Sequence, residues 1–228
     1  MRTVICAAAL LLPTHFALAE QTETDKVPLK TTRDQASYAL GLNIGRQLKS
    51  NLPTISVSAL LLGIRDTLTN AEPKLTAAQC QAALTALQQA QTQQQRALGE
   101  KNKREGEAFL AANKKQPKVV TLASGLQYTV LKSGTGATPK LTDKVKTHYH
   151  GTLINGTVFD SSVERGEPIS FAVGGVIRGW REALQLMKVG DKWKLFVPSG
   201  LAYGPDGAGA TIGPHAVLIF EIELLGIE

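Results

Sequence analysis

The chain has 228 residues, a hydrophobic content of 43 %, an aromatic content of only 5 % and a net charge of +6. That length allows one large or two small domains. The charge is too modest to imply a nucleic-acid partner, because a solvated basic face gives the same value.

The chain opens with Arg2, an apolar run over 4–12 and the small-x-small sequence Ala17-Leu18-Ala19. The run is too short to span a bilayer. The pattern predicts a signal peptide over 1–19, cleaved before Glu20 and directing export, to the periplasm or to the outer membrane or cell surface. Cys6 lies inside the apolar run rather than just after it, which is badly placed for lipidation, and it leaves with the signal. Cys80 is then the one remaining thiol, so no intrachain disulfide forms. It reads as a small buried apolar residue or as a free or intersubunit thiol. Residues 20–31 are polar and read as a flexible leader.

From Thr32 the pattern is helical. Thr32 with Gln35 fits a capping box, and Tyr38, Leu42 and Leu48 share a face. Leu52-Pro53 breaks this helix. A second, capped by Ser56 or Ser58, carries Leu60, Leu61, Ile64 and Leu68. Glu72-Pro73 ends the helical pair, giving a predicted dimerisation domain over 32–72. Thr76 with Gln79 opens a third helix, and residues 73–116 form a long connecting segment. After Pro73 no proline interrupts it, and only Gly99 and Gly106 weaken it. About 40 residues of helix would reach on the order of 60 Å. Its first half has a stripe of Cys80, Ala83, Leu84 and Leu87. Its second half is Gln-rich over 88–95 and then charged, and reads as a solvated spacer. Two short helices and half a long one are a thin core for one subunit, so a homodimer is expected through residues 32 to about 90.

Gln116-Pro117 ends the helix, and residues 117–228 change character. Strand-like alternation appears at 126–131 and 144–153, where Val145, Thr147, Tyr149 and Leu153 oppose Lys144, Lys146, His148 and His150. Asn155-Gly156 signals a hairpin. Ile169, Phe171 and Val173 share one strand face, Trp193, Leu195 and Val197 another. Ala216, Leu218, Phe220, Ile222 and Leu224 face inward from the last strand. One helix interrupts the strands: Ile177, Trp180, Leu184 and Met187 lie at helical spacing and Gly190 stops it. The predicted fold class is α+β: an all-helical N-terminal dimerisation domain with a long connecting helix, then an antiparallel β half-barrel of five or six strands wrapped on one short helix.

The familiar catalytic patterns GxSxG and HExxH do not occur. His148 and His150 lie two apart on a strand with no Cys or carboxylate cluster beside them, and read as surface residues rather than metal ligands. The glycine-rich run from Gly204 to Ala210 has no following helix and no Lys-Ser/Thr pair, so it is a loop rimming a site, not a phosphate cradle. No metal or other cofactor is expected. What remains is a concentration of aromatic residues: Tyr149, Phe159, Phe171, Trp180, Tyr203 and Phe220.

The spacing of several motifs is specific. Tyr149-His150-Gly151-Thr152-Leu153, Val158-Phe159-Asp160-Ser161-Ser162, Val176-Ile177-Arg178-Gly179-Trp180, Val189-Gly190-Asp191, Val197-Pro198, Leu201-Ala202-Tyr203-Gly204 and Ile212-Gly213-Pro214-His215 resemble, in order, the motifs of the FK506-binding-protein isomerases. Ser37-Tyr38-Ala39-Leu40-Gly41 followed by a long helix is similar to the exported bacterial subgroup that includes the macrophage infectivity potentiator type. The resemblance implies a peptidyl-prolyl cis–trans isomerase that turns X-Pro bonds in exported proteins and assists their folding, inhibited by FK506-type macrolides. It implies Trp180 as the floor of a proline-ring pocket, with Tyr149, Phe159, Val176, Ile177 and Phe220 as walls. Phe171 and Ile212 complete the substrate-binding set. Tyr203 and the Ile177 amide would donate to substrate carbonyls. Asp160 would act directly or only hold a neighbouring Tyr or Arg. The alternative is a dimeric holdase chaperone that cradles unfolded chains.

Overall fold

The computed structural model describes residues 27–51 and 55–228. The predicted signal peptide, residues 20–26 of the leader and the Leu52-Pro53 break lie outside the described residues. Two units are distinguished, with the division after Asn70.

In the first unit, helix α1 spans Thr32–Asn51 and helix α2 spans Val57–Leu68. The capping pair of α1 sits one residue earlier than the spacing predicts. The Thr31 amide donates to Asp34 Oδ2 at 3.0 Å and the Asp34 amide donates to Thr31 Oγ1 at 3.2 Å. An acidic side chain in the first turn also complements the helix dipole, which Gln35 cannot do. Ser56 is the cap of α2, accepting from the Ala59 amide. Both helices leave large apolar side chains exposed: Tyr38, Leu40, Leu42 and Ile44 on α1, and Leu61, Ile64 and Leu68 on α2.

The second unit begins with helix α3, Ala77–Asn113, opened by the predicted capping box of Thr76 and Gln79. Its 37 residues correspond to about 55 Å of helix. Cys80 is a free thiol exposed on its first turns. Seven strands follow: β1 (Val120–Thr121), β2 (Gln127–Lys132), β3 (Lys144–Leu153), β4 (Val158–Ser161), β5 (Ile169–Ala172), β6 (Lys192–Val197) and β7 (Leu218–Ile227). They form one antiparallel sheet in the order β1-β2-β6-β7-β3-β4, with β5 also paired to β3. The strand beyond the five or six predicted is the two-residue β1, too short to show alternation. Four-residue helix α4 (Ser162–Arg165) follows β4, and helix α5 (Arg178–Leu184) lies between β5 and β6.

One face of the sheet closes on α5. Trp180, Ala183, Leu184 and Met187 pack with Trp193, Leu195 and Val197 of β6 and with Leu218, Phe220, Ile222 and Leu224 of β7. The α-helix stops at Leu184, short of Met187. The buried Asp191 carboxylate accepts from the Lys188 amide at 2.7 Å and the Gly134 amide at 2.5 Å, closing a turn where the helix would otherwise run on.

The opposite face is covered too, which corrects the solvated-spacer reading for the part of α3 from Leu98 onward, while residues 88–97 are exposed apart from the half-buried Gln91. Gly99, Asn102, Gly106, Phe109 and Asn113 recur every three or four residues along α3, and so share one helical face. Phe109 lies 5.9 Å, ring to ring, from Phe196, whose side chain points away from the α5 side. Gly106 approaches the residue before β7 so closely that a Cβ there would lie 2.6 Å from Val217 Cγ2. The buried Gln127 side chain donates to Leu110 O at 3.0 Å and accepts from Asn113 Nδ2 at 2.8 Å.

A fragment of residues 118–228 should fold alone, since its strands and α5 already enclose the aromatic core. A fragment of residues 95–228 should be more stable by about 2–4 kcal/mol, the worth of covering Phe196 and satisfying the Gln127 amide. Urea unfolding of the two fragments measures the difference, and equal midpoints would contradict the packing role of α3.

Candidate active site

The sheet, α5 and two loops converge on a cleft of about 490 Å³. All ten residues singled out from the sequence line it: Tyr149 of β3, Phe159 and Asp160 of β4, Phe171 of β5, Val176 and Ile177 ahead of α5, Trp180 of α5, Tyr203 and Ile212 of the β6–β7 loop, and Phe220 of β7. Gly175, Ala208 and Gly209 line it as well. The last two come from the glycine-rich run that the sequence places at the rim of a site, although neither was singled out.

Trp180 lies at the bottom. It is 4 % exposed, and three rings meet it at steep angles: Tyr149 at 5.3 Å, Phe171 at 5.7 Å and Phe220 at 5.2 Å between centroids, all close to edge-on. Phe159 stands edge-on to Phe220 at 5.4 Å. Such T-shaped pairs are the favoured geometry of aromatic quadrupoles, so the rings brace one another. Phe159 also depends on Gly151 across the β3–β4 pair, because a Cβ at Gly151 would lie 2.7 Å from the Phe159 ring. The indole N–H of Trp180 is buried without a protein acceptor.

The polar groups sit at the margins. Tyr203 is 41 % exposed and reaches the cleft from the loop. Asp160 is held by two partners: the Tyr149 hydroxyl donates to its Oδ2 and Arg165 Nη1 donates to its Oδ1. Arg165 Nη2 closes the triangle by donating to the Tyr149 hydroxyl at 3.0 Å. Burial pushes the Asp160 carboxyl up, but the Tyr149 hydroxyl and the Arg165 guanidinium outweigh it and hold the group below its ordinary value of 3.8. Burial, joined by the bond to Asp160, pushes the Tyr149 phenol above its ordinary value of 10.0. Arg165 was not singled out from the sequence, although an Arg or Tyr partner for Asp160 was foreseen. It lies at the end of α4, a single turn with no periodicity to mark it.

The two strand histidines stand on the far side of β3 from this cleft. His148 Nδ1 lies 3.1 Å from Ser162 Oγ, and His150 Nδ1 lies 3.0 Å from Ser161 Oγ. Among the described residues no group of three metal-ligating side chains occurs.

An apolar, ring-walled cleft with hydrogen-bond donors at its rim suits an apolar ring flanked by carbonyls, and contains no nucleophile–base pair. Comparison with known proteins agrees. The family model described as FKBP-type peptidyl-prolyl cis-trans isomerase matches residues 136–225, and that of the domain amino terminal to it matches residues 33–130. The outer membrane protein MIP of Legionella longbeachae is 42 % identical over 99 % of this chain and 97 % of its own. The FKBP-type 22 kDa peptidyl-prolyl cis-trans isomerase of Escherichia coli is 46 % identical over 86 % of this chain and 96 % of its own. The crystal structure of FkpA from Escherichia coli superposes with a TM-score of 0.63 at 33 % identity, covering 87 % of this chain and 98 % of that one. The apolar cleft, the helical N-terminal region and these full-length relatives together place the chain in the family of FKBP-type peptidyl-prolyl cis-trans isomerases.

Proposed function

We propose that the cleft turns X-Pro bonds in exported polypeptides, with the proline ring seated on Trp180. The observation that carries this reading is the floor itself: an indole ringed edge-on by Tyr149, Phe171 and Phe220. Phe159, Val176, Ile177 and Ile212 close the sides around the ring and the residue before it. The Tyr203 hydroxyl and the Ile177 backbone N–H donate to carbonyls of the bound segment. Asp160, gripped by Tyr149 and Arg165, sets the edge of the cleft nearest the twisting amide.

The uncatalysed barrier is about 20 kcal/mol, because amide resonance must be broken. The planar amide is more polar than the twisted one. An apolar cleft that strips water from the planar form while holding the proline ring favours the twisted state. No bond is made or broken, so the residues need to bind, orient and exclude water, without an acid–base pair.

Export is supported by the signal pattern over 1–19 and by the Legionella longbeachae relative, which is named an outer membrane protein; the periplasm is the compartment proposed. The exposed apolar side chains of α1 and α2 support a homodimer through residues 32 to about 90. They also favour a second reading, a holdase in which two protomers cradle an unfolded client and gain affinity from bivalency. The domain boundaries proposed are 20–31 for the leader, 32–72 for the dimerisation region, 73–116 for the long helix and 117–228 for the isomerase domain.

Trp180→Ala should lower kcat/KM on a short proline peptide, and the affinity for FK506-type macrolides, by about tenfold or more, since both require the apolar floor. Trp180→Phe, which keeps a ring, should lose less. A folded Trp180→Ala protein with near wild-type values would overturn the assignment.

Activity should be flat from about pH 5 to about pH 8.5, because Asp160 stays charged and Tyr149 stays neutral throughout that window. Magnetisation-exchange NMR on a proline peptide checks this without a coupled protease. A midpoint inside the window would assign a role to another titrating group.

Light scattering at micromolar concentration should return the mass of two chains. Deleting residues 20–90 should give a monomer that still acts on short peptides but acts weakly on unfolded proteins. A full-length mass near one chain would remove the dimer.

A further inference from the structure

Besides Phe196, Gln127 and Val217, helix α3 touches the loop that rims the cleft. The loop between β6 and β7 carries Tyr203, Ala208, Gly209 and Ile212 into the cleft. Its two ends are tied to each other: the His215 amide donates to Gly204 O at 2.8 Å, immediately beside Tyr203. Ala208 and Ile212 exchange two further backbone bonds at 2.8 and 3.1 Å across the tip. The N–H of His215 belongs to the same peptide unit as the carbonyl of Pro214. That carbonyl accepts from Asn102 Nδ2 of α3 at 2.8 Å. One rigid peptide plane therefore bridges the helix on its oxygen side and the Tyr203–Gly204 stretch of the loop on its nitrogen side.

The surroundings favour this arrangement. His215 sits in the left-handed region at φ 55, a conformation that a non-glycine residue keeps only when its neighbours hold it. Gly99 brings the helix close enough that a Cβ there would meet Pro214 Cβ at 3.2 Å and the His215 ring at 3.3 Å. Leu98 and Asn102 both lie against Gly213, next to Ile212. The amide of Asn102 is thus held against a strained turn whose two flanks supply two of the cleft's contact residues.

We infer that Asn102 is a positioning residue of the isomerase site: through the Pro214–His215 peptide it fixes the loop that presents Tyr203 and Ile212 to the substrate, so that α3 completes the site. This rests on the isomerase reading of the cleft.

Three variants of the full chain test it. Asn102→Asp keeps the shape but sets a carboxylate against the Pro214 carbonyl. Asn102→Ala removes the side chain. Asn113→Ala removes a hydrogen bond from the same helix face, to Gln127, without touching the loop. Both Asn102 variants should speed amide hydrogen exchange across residues 203–215, and should raise KM for a short proline peptide by about fivefold, the equilibrium worth of one such bond. Their kcat should change by less than about twofold, and exchange in β3 and β7 should stay at wild-type rates. Asn113→Ala should lower the melting temperature while leaving KM and loop exchange unchanged. Wild-type exchange at His215 with a wild-type KM in Asn102→Asp would overturn the inference. So would an equal rise in KM for Asn113→Ala, which would reduce the contact to general support of the domain. If the unmodified chain failed to isomerise the peptide, the functional reading would fall, and the exchange comparison would still decide whether Asn102 holds the loop.

Discussion

The constraint on which the isomerase domain depends is the double duty of Trp180. Its indole is at once the last layer of the hydrophobic core, above Leu184, Leu195 and Ile222, and the floor of the cleft. A ring in that position is fixed by packing on the core side and by other rings at its sides. The edge-on contacts from Tyr149, Phe171 and Phe220 supply the lateral restraint from three different strands. The register of β3 against β5 and β7 is therefore a condition for the site: a slip of one residue would turn Tyr149 or Phe220 to the other face.

One edge of that apolar floor carries a charged cluster. Asp160, Tyr149 and Arg165 form a closed triangle of hydrogen bonds. Asp160 lies below its ordinary value when folded, so its stabilising share is present above about pH 4 and is lost as pH falls through the folded value. Tyr149 lies above its ordinary value, so its share is present below about pH 10 and is lost as pH rises further. Both limits lie outside the window from about pH 5 to about pH 8.5, and the cleft edge keeps one charge across it. Asp160 and Arg165 are partly exposed, each at 43 % of the side chain, so solvent screening keeps the energetic worth of the pair small. The triangle ties the phenol that borders the pocket to Asp160 and Arg165.

The strands and the cleft were legible in the sequence because both are written in large residues at a fixed period. Val145, Thr147 and Tyr149 alternate with charged neighbours, and the aromatic side chains at 149, 159, 171, 180 and 220 have few other uses in so aromatic-poor a chain. What the sequence hid follows a different grammar. The face by which α3 packs is Gly99, Asn102, Gly106, Phe109 and Asn113, which has the 3–4 spacing of a buried stripe but only one apolar side chain of any size. A search for hydrophobic periodicity passes over it. The signal present was the pair of glycines seven apart in an otherwise strong helix: each costs about 1 kcal/mol of helix propensity, and a close approach at Val217 and at Pro214 accounts for that cost. Arg165 was hidden for the opposite reason, since one turn of helix has no period.

A long helix with glycines in its packing face makes a particular kind of joint. Large side chains would hold α3 farther from the sheet and let it roll on an oily surface. With no Cβ at Gly99 and Gly106, backbone meets Pro214, His215 and Val217 directly. The remaining polar side chains then reach defined partners: Asn102 to Pro214, and Asn113 to Gln127, which in turn reaches Leu110. Directional bonds at both ends of a close contact fix rotation as well as distance, which apolar packing alone does loosely. The end of α3 is therefore a seat rather than a tether, and the loop that rims the cleft rests against it. The same helix continues for more than 20 residues N-terminal to that seat. Those residues of α3 continue from a helix end whose rotation and distance against the isomerase domain are fixed by Asn102 and Asn113.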